Sequence, residues 1–211
     1  QLRSLLQAAD SSLGAEEARK IWSDRLQQAM QTHPEAKTDL GKLRGELMRY
    51  GRSLAHRIEV DWCRLGPGRL AIGHRPGRKL ITGLPMAGAT HVVTLLSETE
   101  GAESIGRDVQ RAGLAWIWLP MNSGEPPAPD RFEQMHAKLV EVNEAIAGGG
   151  SLYLHCSAGI HRTGMVTHAL LRLRGLEPQD AILQLGRLRS VTATGVGARR
   201  LAWGHQFAPK S

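Results

Sequence analysis

The first quarter of the chain repeats apolar positions at helical spacing. Leucine and alanine side chains recur every three or four residues over 2–30 and again over 39–56, which is the period of one face of an α-helix. The pair His33-Pro34 lies between the two stretches, and proline is disfavoured inside a helix. The pattern therefore predicts an N-terminal helical extension over residues 1–56, in which we identify no catalytic chemistry.

From residue 57 onward the pattern changes to short apolar segments separated by turns and helical stretches. Four segments have the length and composition of buried strands, and they are 69–72, 91–96, 115–119 and 151–155. Strands that alternate with helices are typical of an α/β domain, in which helices flank one sheet. The sequence thus predicts a single α/β domain over residues 57–211.

Trp116 and Trp118 would lie on the same face of their strand, and packing in the core is a sufficient explanation for such a pair.

Helix boundaries are marked on both sides of the last strand. Asp130 is followed three residues later by Glu133, a capping-box spacing that predicts a helix start with Asp130 as the N-cap. Three glycines at 148–150 predict the end of that helix. A further helix after the last strand is predicted to end near Gly175, with Pro178 opening the next one.

Composition limits the class of protein. A chain of 211 residues is long enough for one substantial core and a smaller extension. With 41% hydrophobic and 22% charged residues it has the composition of a globular protein, and no apolar run approaches the ~20 residues of a membrane helix. We therefore expect that it does not span a membrane. Two cysteines, Cys63 and Cys156, cannot build a disulfide framework, which favours a reducing, cytoplasmic location.

Positive charge is concentrated in the last part of the chain. The net charge is +7, and residues 151–211 hold eight Lys and Arg against two Asp and Glu. Such a field favours an anionic substrate. Four arginines either form a rim that attracts a polyanion or only solvate the last helices, and they are Arg187, Arg189, Arg199 and Arg200.

The segment HCSAGIHRTG at 155–164 places a cysteine six residues before an arginine, between a predicted strand and a predicted helix. Backbone N–H groups and the helix dipole converge on an anion at such a junction. Gly159 permits a tight loop, Gly164 permits close helix packing, and Arg162 offers two parallel donors to phosphoryl oxygens. The same field lowers a thiol pKa and favours the nucleophilic thiolate of Cys156.

The pattern His-Cys, five residues, Arg, Thr over 155–163 resembles the signature of the cysteine-dependent protein tyrosine and dual-specificity phosphatases. Less specific similarity to this superfamily extends from about Trp62 to Phe207. The resemblance implies a central mixed β-sheet flanked by helices, with the N-terminal helices as an extension. It also implies hydrolysis of phosphomonoesters through a phosphocysteine intermediate, without a metal or another cofactor.

The resemblance implies roles for individual residues. Cys156 would attack phosphorus, Thr163 would offer its hydroxyl to the sulfur when it becomes the leaving group, and His155 would orient the loop by a hydrogen bond. His161 at the loop tip is either a substrate contact or an exposed residue. The phosphate oxygens would be bound by Ser157, Ala158, Gly159, Ile160, His161 and Arg162.

The general acid expected in this superfamily is missing from its usual place. The matching segment, WLPMNSGEPPAPD at 118–130, has Asn122 and Ser123 where an aspartate is expected. Glu125 is the better placed of the two acids that remain, because Asp130 is explained as a helix N-cap. Alternatively, no side-chain acid is needed when the leaving group is already stable, as in a diphosphate end.

Glu98 could hold Arg162 in place by an ion pair, although a glutamate at the end of a strand is more commonly exposed.

Three functions remain open on the sequence. The leading one is a protein phosphatase acting on phosphotyrosine and phosphoserine or phosphothreonine, because the compact catalytic segment resembles dual-specificity members. An RNA 5′-triphosphatase or polynucleotide 5′-phosphatase is the alternative, supported by the basic last third and the missing aspartate. The third is a phosphate-binding module without turnover. Inositol lipids are disfavoured because the loop lacks extra lysines. The N-terminal helices either stabilise the catalytic domain or dock a partner.

Overall fold

The computed structural model describes residues 15–54 and 58–209, which fall into two compact units on either side of residue 57. In the N-terminal unit, helix α1 (Ala15–Thr32) packs against helix α2 (Lys37–Leu54). A short 3-10 turn, Pro34–Ala36, connects the two helices. The predicted break is confirmed, since His33 lies between the helices and Pro34 opens the turn. The parts of the two predicted helices at 2–14 and 55–56 lie outside the described residues.

The second unit is built on a five-stranded mixed sheet, as expected. Its order is β1-β2-β5-β3-β4, with β1 antiparallel to β2 and the remaining pairs parallel. The strands are β1 (Cys63–Leu65), β2 (Gly68–Gly73), β3 (His91–Thr94), β4 (Ala115–Trp118) and β5 (Ser151–His155). The first of these was not predicted, and β3 and β4 end before the predicted residues 96 and 119. The α/β fold class is confirmed.

Seven helices of the second unit cover the sheet within residues 58–209. They are α3 (Arg78–Gly83), α4 (Ala102–Arg111), α5 (Phe132–Ala147), α6 (His161–Leu173), α7 (Pro178–Leu188), α8 (Ser190–Gly195) and α9 (Ala198–Gly204). None of the helices in the described part of the chain is long and apolar enough to cross a lipid bilayer.

Two apolar cores lie on opposite faces of the sheet. Leu152 and Leu154 of β5 belong to one core, which includes residues of α5, α6 and α7, whereas Tyr153 between them belongs to the other. This alternation follows from the two-residue period of a strand. All five residues of β5 are buried, so the strand that leads into the candidate site is held from both faces.

The predicted N-cap at Asp130 is wrong. Asp130 lies inside a 3-10 turn, Pro129–Arg131, and helix α5 begins at Phe132 without a side-chain hydrogen bond to its first turn. Pro129 sets the backbone angle for the tighter turn and so moves the helix start beyond Asp130. The predicted helix end is confirmed, since α5 stops at Ala147 before the glycines.

Candidate active site

The cysteine lies at the carboxyl end of β5, in the loop between β5 and α6. Such a loop at the edge of a parallel sheet is where α/β proteins place ligands. Cys156 is buried with 3% exposure, and the backbone N–H of Gly159 donates to its Sγ at 3.2 Å. Gly159 has a φ of +72°, and a side chain there would collide with the backbone of Gly73 and His74. The loop therefore closes around the sulfur only with glycine at this position.

Groups outside the loop bind its carbonyl oxygens. The Arg75 backbone N–H donates to Ser157 O at 2.9 Å. Two side chains donate to Gly159 O, the Arg189 guanidinium at 2.8 Å and the Thr192 hydroxyl at 2.7 Å. These hydrogen bonds engage the carbonyl oxygens of the loop with groups other than the sulfur, and they fix the backbone conformation of the loop. The N–H groups at the start of α6 have no partner within that helix, which makes the loop a suitable cradle for an anion.

The thiol of Cys156 is biased toward the thiolate. Burial raises its pKa, but hydrogen bonds to the sulfur from the Thr163 hydroxyl and from the N–H groups of Thr163, Gly159 and Ile160 more than compensate, so the pKa is below its usual value. The Thr163 hydroxyl is buried, and its oxygen has no hydrogen-bond partner within the usual distance and angle limits among the described residues. It is thus left available to the sulfur, which is where its predicted role requires it.

Arg162 is held by a carboxylate. Its NH1 and NH2 groups donate to the two oxygens of Glu100 at 2.5 and 2.7 Å, and NH1 also donates to Met121 O at 2.9 Å. A guanidinium has five N–H donors, so these three bonds leave two for phosphoryl oxygens. The pKa of Arg162 is raised, first by the hydrogen bond to Glu100 and in smaller part by Cys156. Arg162 is therefore held as a cation in the helix that follows the nucleophile loop.

His155 is a neutral, fixed side chain under the loop. Its Nδ1 lies 3.2 Å from Cys156 O and its Nε2 lies 3.0 Å from the Thr94 hydroxyl, which also accepts a bond from the Trp116 indole. Burial lowers its pKa to about 4. The partners assign the proton to Nδ1, which donates to the carbonyl oxygen. These contacts fit the predicted orienting role of His155, which stays a prediction.

The loop after β4 lies beside the cradle and carries the missing-acid segment. The carboxylate of Glu125 pairs with Arg199 at 3.1 Å and with Arg200 at 2.7 Å. Arg200 also donates to Gly124 O, so it ties this loop to α9. A side-chain carbon on Gly124 would lie 3.3 Å from His161 Cβ, which places the loop against the first residue of α6. The acid role of Glu125 stays a prediction.

A protein-family model decides the relationship. Residues 60–211, which contain the whole second unit apart from its first two residues, match the model described as "PTP-SAK: Swiss Army Knife protein, DSP-PTPase phosphatase domain". The chain belongs to this cysteine-dependent phosphatase family. The resemblance inferred from 155–163 is therefore confirmed, and the activity is that of a cysteine-dependent phosphatase of the protein tyrosine and dual-specificity type.

Similar proteins agree with this assignment. The phosphatase is 25% identical over 157 residues to human protein tyrosine phosphatase type IVA 3, which covers 72% of this chain and 84% of the human protein. Among solved structures it resembles Tk-PTP in its active form, with 21% identity, a TM-score of 0.56, and coverage of 68% of this chain and 92% of that one. PTPMT1 gives 20% identity, a TM-score of 0.57, and coverage of 69% and 92%. The structural similarities support the fold.

The structure brings Cys156, the loop residues, Arg162 and Thr163 together, but it places Glu98 elsewhere. Glu98 is exposed, and Glu100 takes the bracing position that was considered for it. A local signal was present: Ser97 and Glu100 have capping-box spacing, and the Ser97 N–H and hydroxyl both bond to Glu100 Oε2 at 3.0 Å. Thr192 and the contact of Arg189 were not predicted from the sequence, because both residues lie about 30 positions from the loop residue that they bind.

Proposed function

We propose that this phosphatase dephosphorylates proteins through a phosphocysteine on Cys156, with phosphotyrosine and phosphoserine or phosphothreonine as its substrates. The observation that carries the proposal is the Arg162 guanidinium, fixed by both oxygens of Glu100 beside a buried sulfur of lowered pKa. A fixed cation and a stabilised thiolate meet the two needs of the first chemical step, which are a nucleophile and a site for the phosphoryl charge.

In the first step the Cys156 thiolate attacks phosphorus, an S–P bond forms, and the bond from phosphorus to the leaving oxygen breaks. Arg162 binds phosphoryl oxygens with its two remaining N–H donors, and the N–H groups of residues 157–162 bind the others. Because Glu100 and the bonds to Ser157 O and Gly159 O hold these donors in place beforehand, little reorganisation is needed as charge develops.

In the second step a water oxygen attacks the phosphocysteine, and the S–P bond breaks to release phosphate. The sulfur leaves as a thiolate, so its release is easier when the thiolate is stabilised. The buried Thr163 hydroxyl, which is unpaired in the described part of the chain, donates to that sulfur as the S–P bond breaks, and Thr163 contributes to the lowered pKa of the thiol. The groups that make Cys156 a nucleophile thus also make it a leaving group.

The RNA alternative is less well supported than protein substrates. It depends on free positive charge around the site, but three of the four arginines considered for a rim are engaged. Arg199 and Arg200 pair with Glu125, and Arg189 donates to the cradle at Gly159 O. The human relative of 25% identity is named as a protein tyrosine phosphatase, which supports a protein substrate. A binding module without turnover is disfavoured by the intact thiolate and arginine.

Phosphate release from a phosphotyrosine peptide and from 5′-triphosphate RNA, measured in parallel, tests the proposal. We expect faster release from the peptide, and we expect Cys156→Ser to abolish it while the peptide still binds. Faster Cys156-dependent release from RNA would contradict the protein assignment and leave the mechanism standing. Peptide binding without release by the wild-type protein would support the binding module instead.

The role of the N-terminal helices and the cytoplasmic location stay predictions. For α1 and α2 we favour stabilisation of the catalytic unit over docking of a partner. A chain shortened to residues 58–211 would test this, because a stabilising role predicts a lower Tm and a docking role predicts an unchanged one.

A further inference from the structure

The reaction needs a proton donor, and two carboxylates that lie beside the cradle, Glu100 and Glu125, are both paired with arginines. An ester oxygen leaves poorly as an anion, and a positioned acid that protonates it contributes about 10²–10⁴ in rate. Beside the cradle, Glu100 gives both oxygens to Arg162, and Glu125 gives its oxygens to Arg199 and Arg200. Asn122 and Ser123 carry no acid. Asp130, the other acid of this loop, lies exposed in the 3-10 turn Pro129–Arg131 and makes no hydrogen bond or ion pair with the cradle within the described residues. A donor other than these carboxylates is therefore needed, unless the leaving group needs no proton.

His161 is the titratable side chain that lies between the cradle and the adjacent loop. It is the first residue of α6, directly before Arg162, and it is exposed. A side-chain carbon on Gly124 would lie 3.3 Å from His161 Cβ and 3.7 Å from its Nδ1, so the ring packs beside the backbone of Gly124. The ring makes no hydrogen bond with any residue that the structure describes. The ring thus lies exposed beside the cradle, without a hydrogen-bond partner in the described part of the chain.

We propose that His161 is the general acid and base of this phosphatase, an inference that rests on the proposed phosphocysteine mechanism. When the Cys156 thiolate forms the S–P bond, an imidazolium N–H of His161 gives its proton to the leaving oxygen as its bond to phosphorus breaks. The neutral imidazole then takes a proton from the attacking water while the new P–O bond forms and the S–P bond breaks. Thiolate and imidazolium are both restored, and no other reactant is required.

Histidine suits both halves of this cycle because its side chain exchanges a proton near neutral pH. The charged groups around the ring are few: Arg162 follows it in α6, and Arg200 and Glu125 lie across the loop that contacts it. Glu125 pairs with both Arg199 and Arg200, so this cluster keeps a net charge of about +1. The Cys156 thiolate at the base of the cradle is the remaining charge on the substrate side.

The test compares leaving groups in three variants, His161→Gln, Glu125→Gln and the control His33→Gln. His33 is exposed and lies between the two N-terminal helices. With phenyl phosphate, a poor leaving group, we expect His161→Gln to lower kcat/KM by about 100-fold. With p-nitrophenyl phosphate, a good leaving group, we expect a loss below about tenfold. The fall in rate at high pH should disappear in this variant, and the rise attributed to the thiolate should remain.

A second variant guards against misfolding. His161→Gly removes the ring, and added imidazole should restore turnover of phenyl phosphate more than that of p-nitrophenyl phosphate, an outcome that a merely structural role would not give. Equal losses on both substrates without imidazole rescue, or a selective loss in Glu125→Gln alone, would overturn the role of His161. If the wild-type protein showed no turnover that depends on Cys156, the proposed function itself would fail, and the inference with it.

Discussion

Glu100 fixes the catalytic arginine, and the change Glu100→Gln measures how much this contact contributes. Glutamine keeps one acceptor oxygen, removes the charge, and places an amide group against a guanidinium N–H. The pKa of Glu100 is lowered from 4.5 to about 2, first by the hydrogen bond from Arg162, and a shift of this size corresponds to about 3 kcal/mol. The Glu100 side chain is 32% exposed, so solvent screens the pair, and we expect a loss of about 1–2 kcal/mol of stability.

The pH dependence of this loss follows from the direction of the shift. A carboxylate with a lowered pKa in the folded state adds stability above its unfolded pKa of 4.5 and loses it as the pH falls toward about 2. The free energies of unfolding of the wild type and Glu100→Gln should therefore differ most near neutral pH and converge below pH 4.5. Urea unfolding at several pH values measures this. We also expect kcat/KM to fall about tenfold to 100-fold, because Arg162 loses its fixed orientation.

Glu103→Gln is the matched control for Glu100→Gln. Glu103 pairs with Arg107 at 3.5 Å on the exposed surface of α4, with 54% of the Glu103 side chain exposed. Such a surface pair one helical turn apart contributes about 0.5 kcal/mol or less. If Glu100→Gln changed stability and kcat/KM no more than Glu103→Gln does, the argument that Glu100 orients the catalytic arginine would be refuted.

Three further changes test other parts of the site. Gly159→Ala forces a side chain into a left-handed backbone position against the backbone at the end of β2, so Tm and activity should both fall, whereas Gly186→Ala, with only one atom within 4 Å, should leave activity unchanged. Thr163→Val should raise the pKa of the catalytic thiol, seen as a shift to higher pH in its alkylation rate; an unshifted profile would exclude the hydroxyl. His155 and His168, both buried with pKa values near 4, are neutral when folded and take up protons on unfolding. Stability should therefore fall from pH 6.5 toward pH 4, by about 2 kcal/mol for each at pH 5, and an equal free energy of unfolding at pH 7 and pH 5 would contradict this.

The strand-loop-helix that carries the nucleophile could be predicted because its signals are local. The buried run at 151–155 is the observed β5, and the helix that follows ends before Gly175 as expected. Gly164 shows the close packing that was predicted for it, since an added side-chain carbon would lie 2.8 Å from Val196 Cβ. Contiguous residues whose roles depend on the backbone between them can be assigned without knowing the rest of the fold.

The parts that could not be predicted depend on contacts between distant segments. Glu100 and Arg162 are 62 positions apart in the chain, and the choice between Glu98 and Glu100 is made by the turn that ends at Gly101, where φ is +80°. The sheet order places β3 next to β5, and this brings the turn after β3 to the loop that follows β5. The Asp130 pattern failed for a different reason, because Pro129 starts a 3-10 turn and the helix begins only at Phe132.

The central claim is that phosphate passes through a covalent bond to Cys156. Rapid acid quenching during turnover of p-nitrophenyl phosphate, followed by mass spectrometry of the digested protein, tests it most directly. We predict a phosphate adduct on the peptide that contains Cys156, formed as fast as the first release of nitrophenol and absent from Cys156→Ser. The peptide with Cys63, the second cysteine of the chain, should stay unmodified. Undiminished phosphate release by Cys156→Ser, or an adduct on Cys63 alone, would contradict the mechanism.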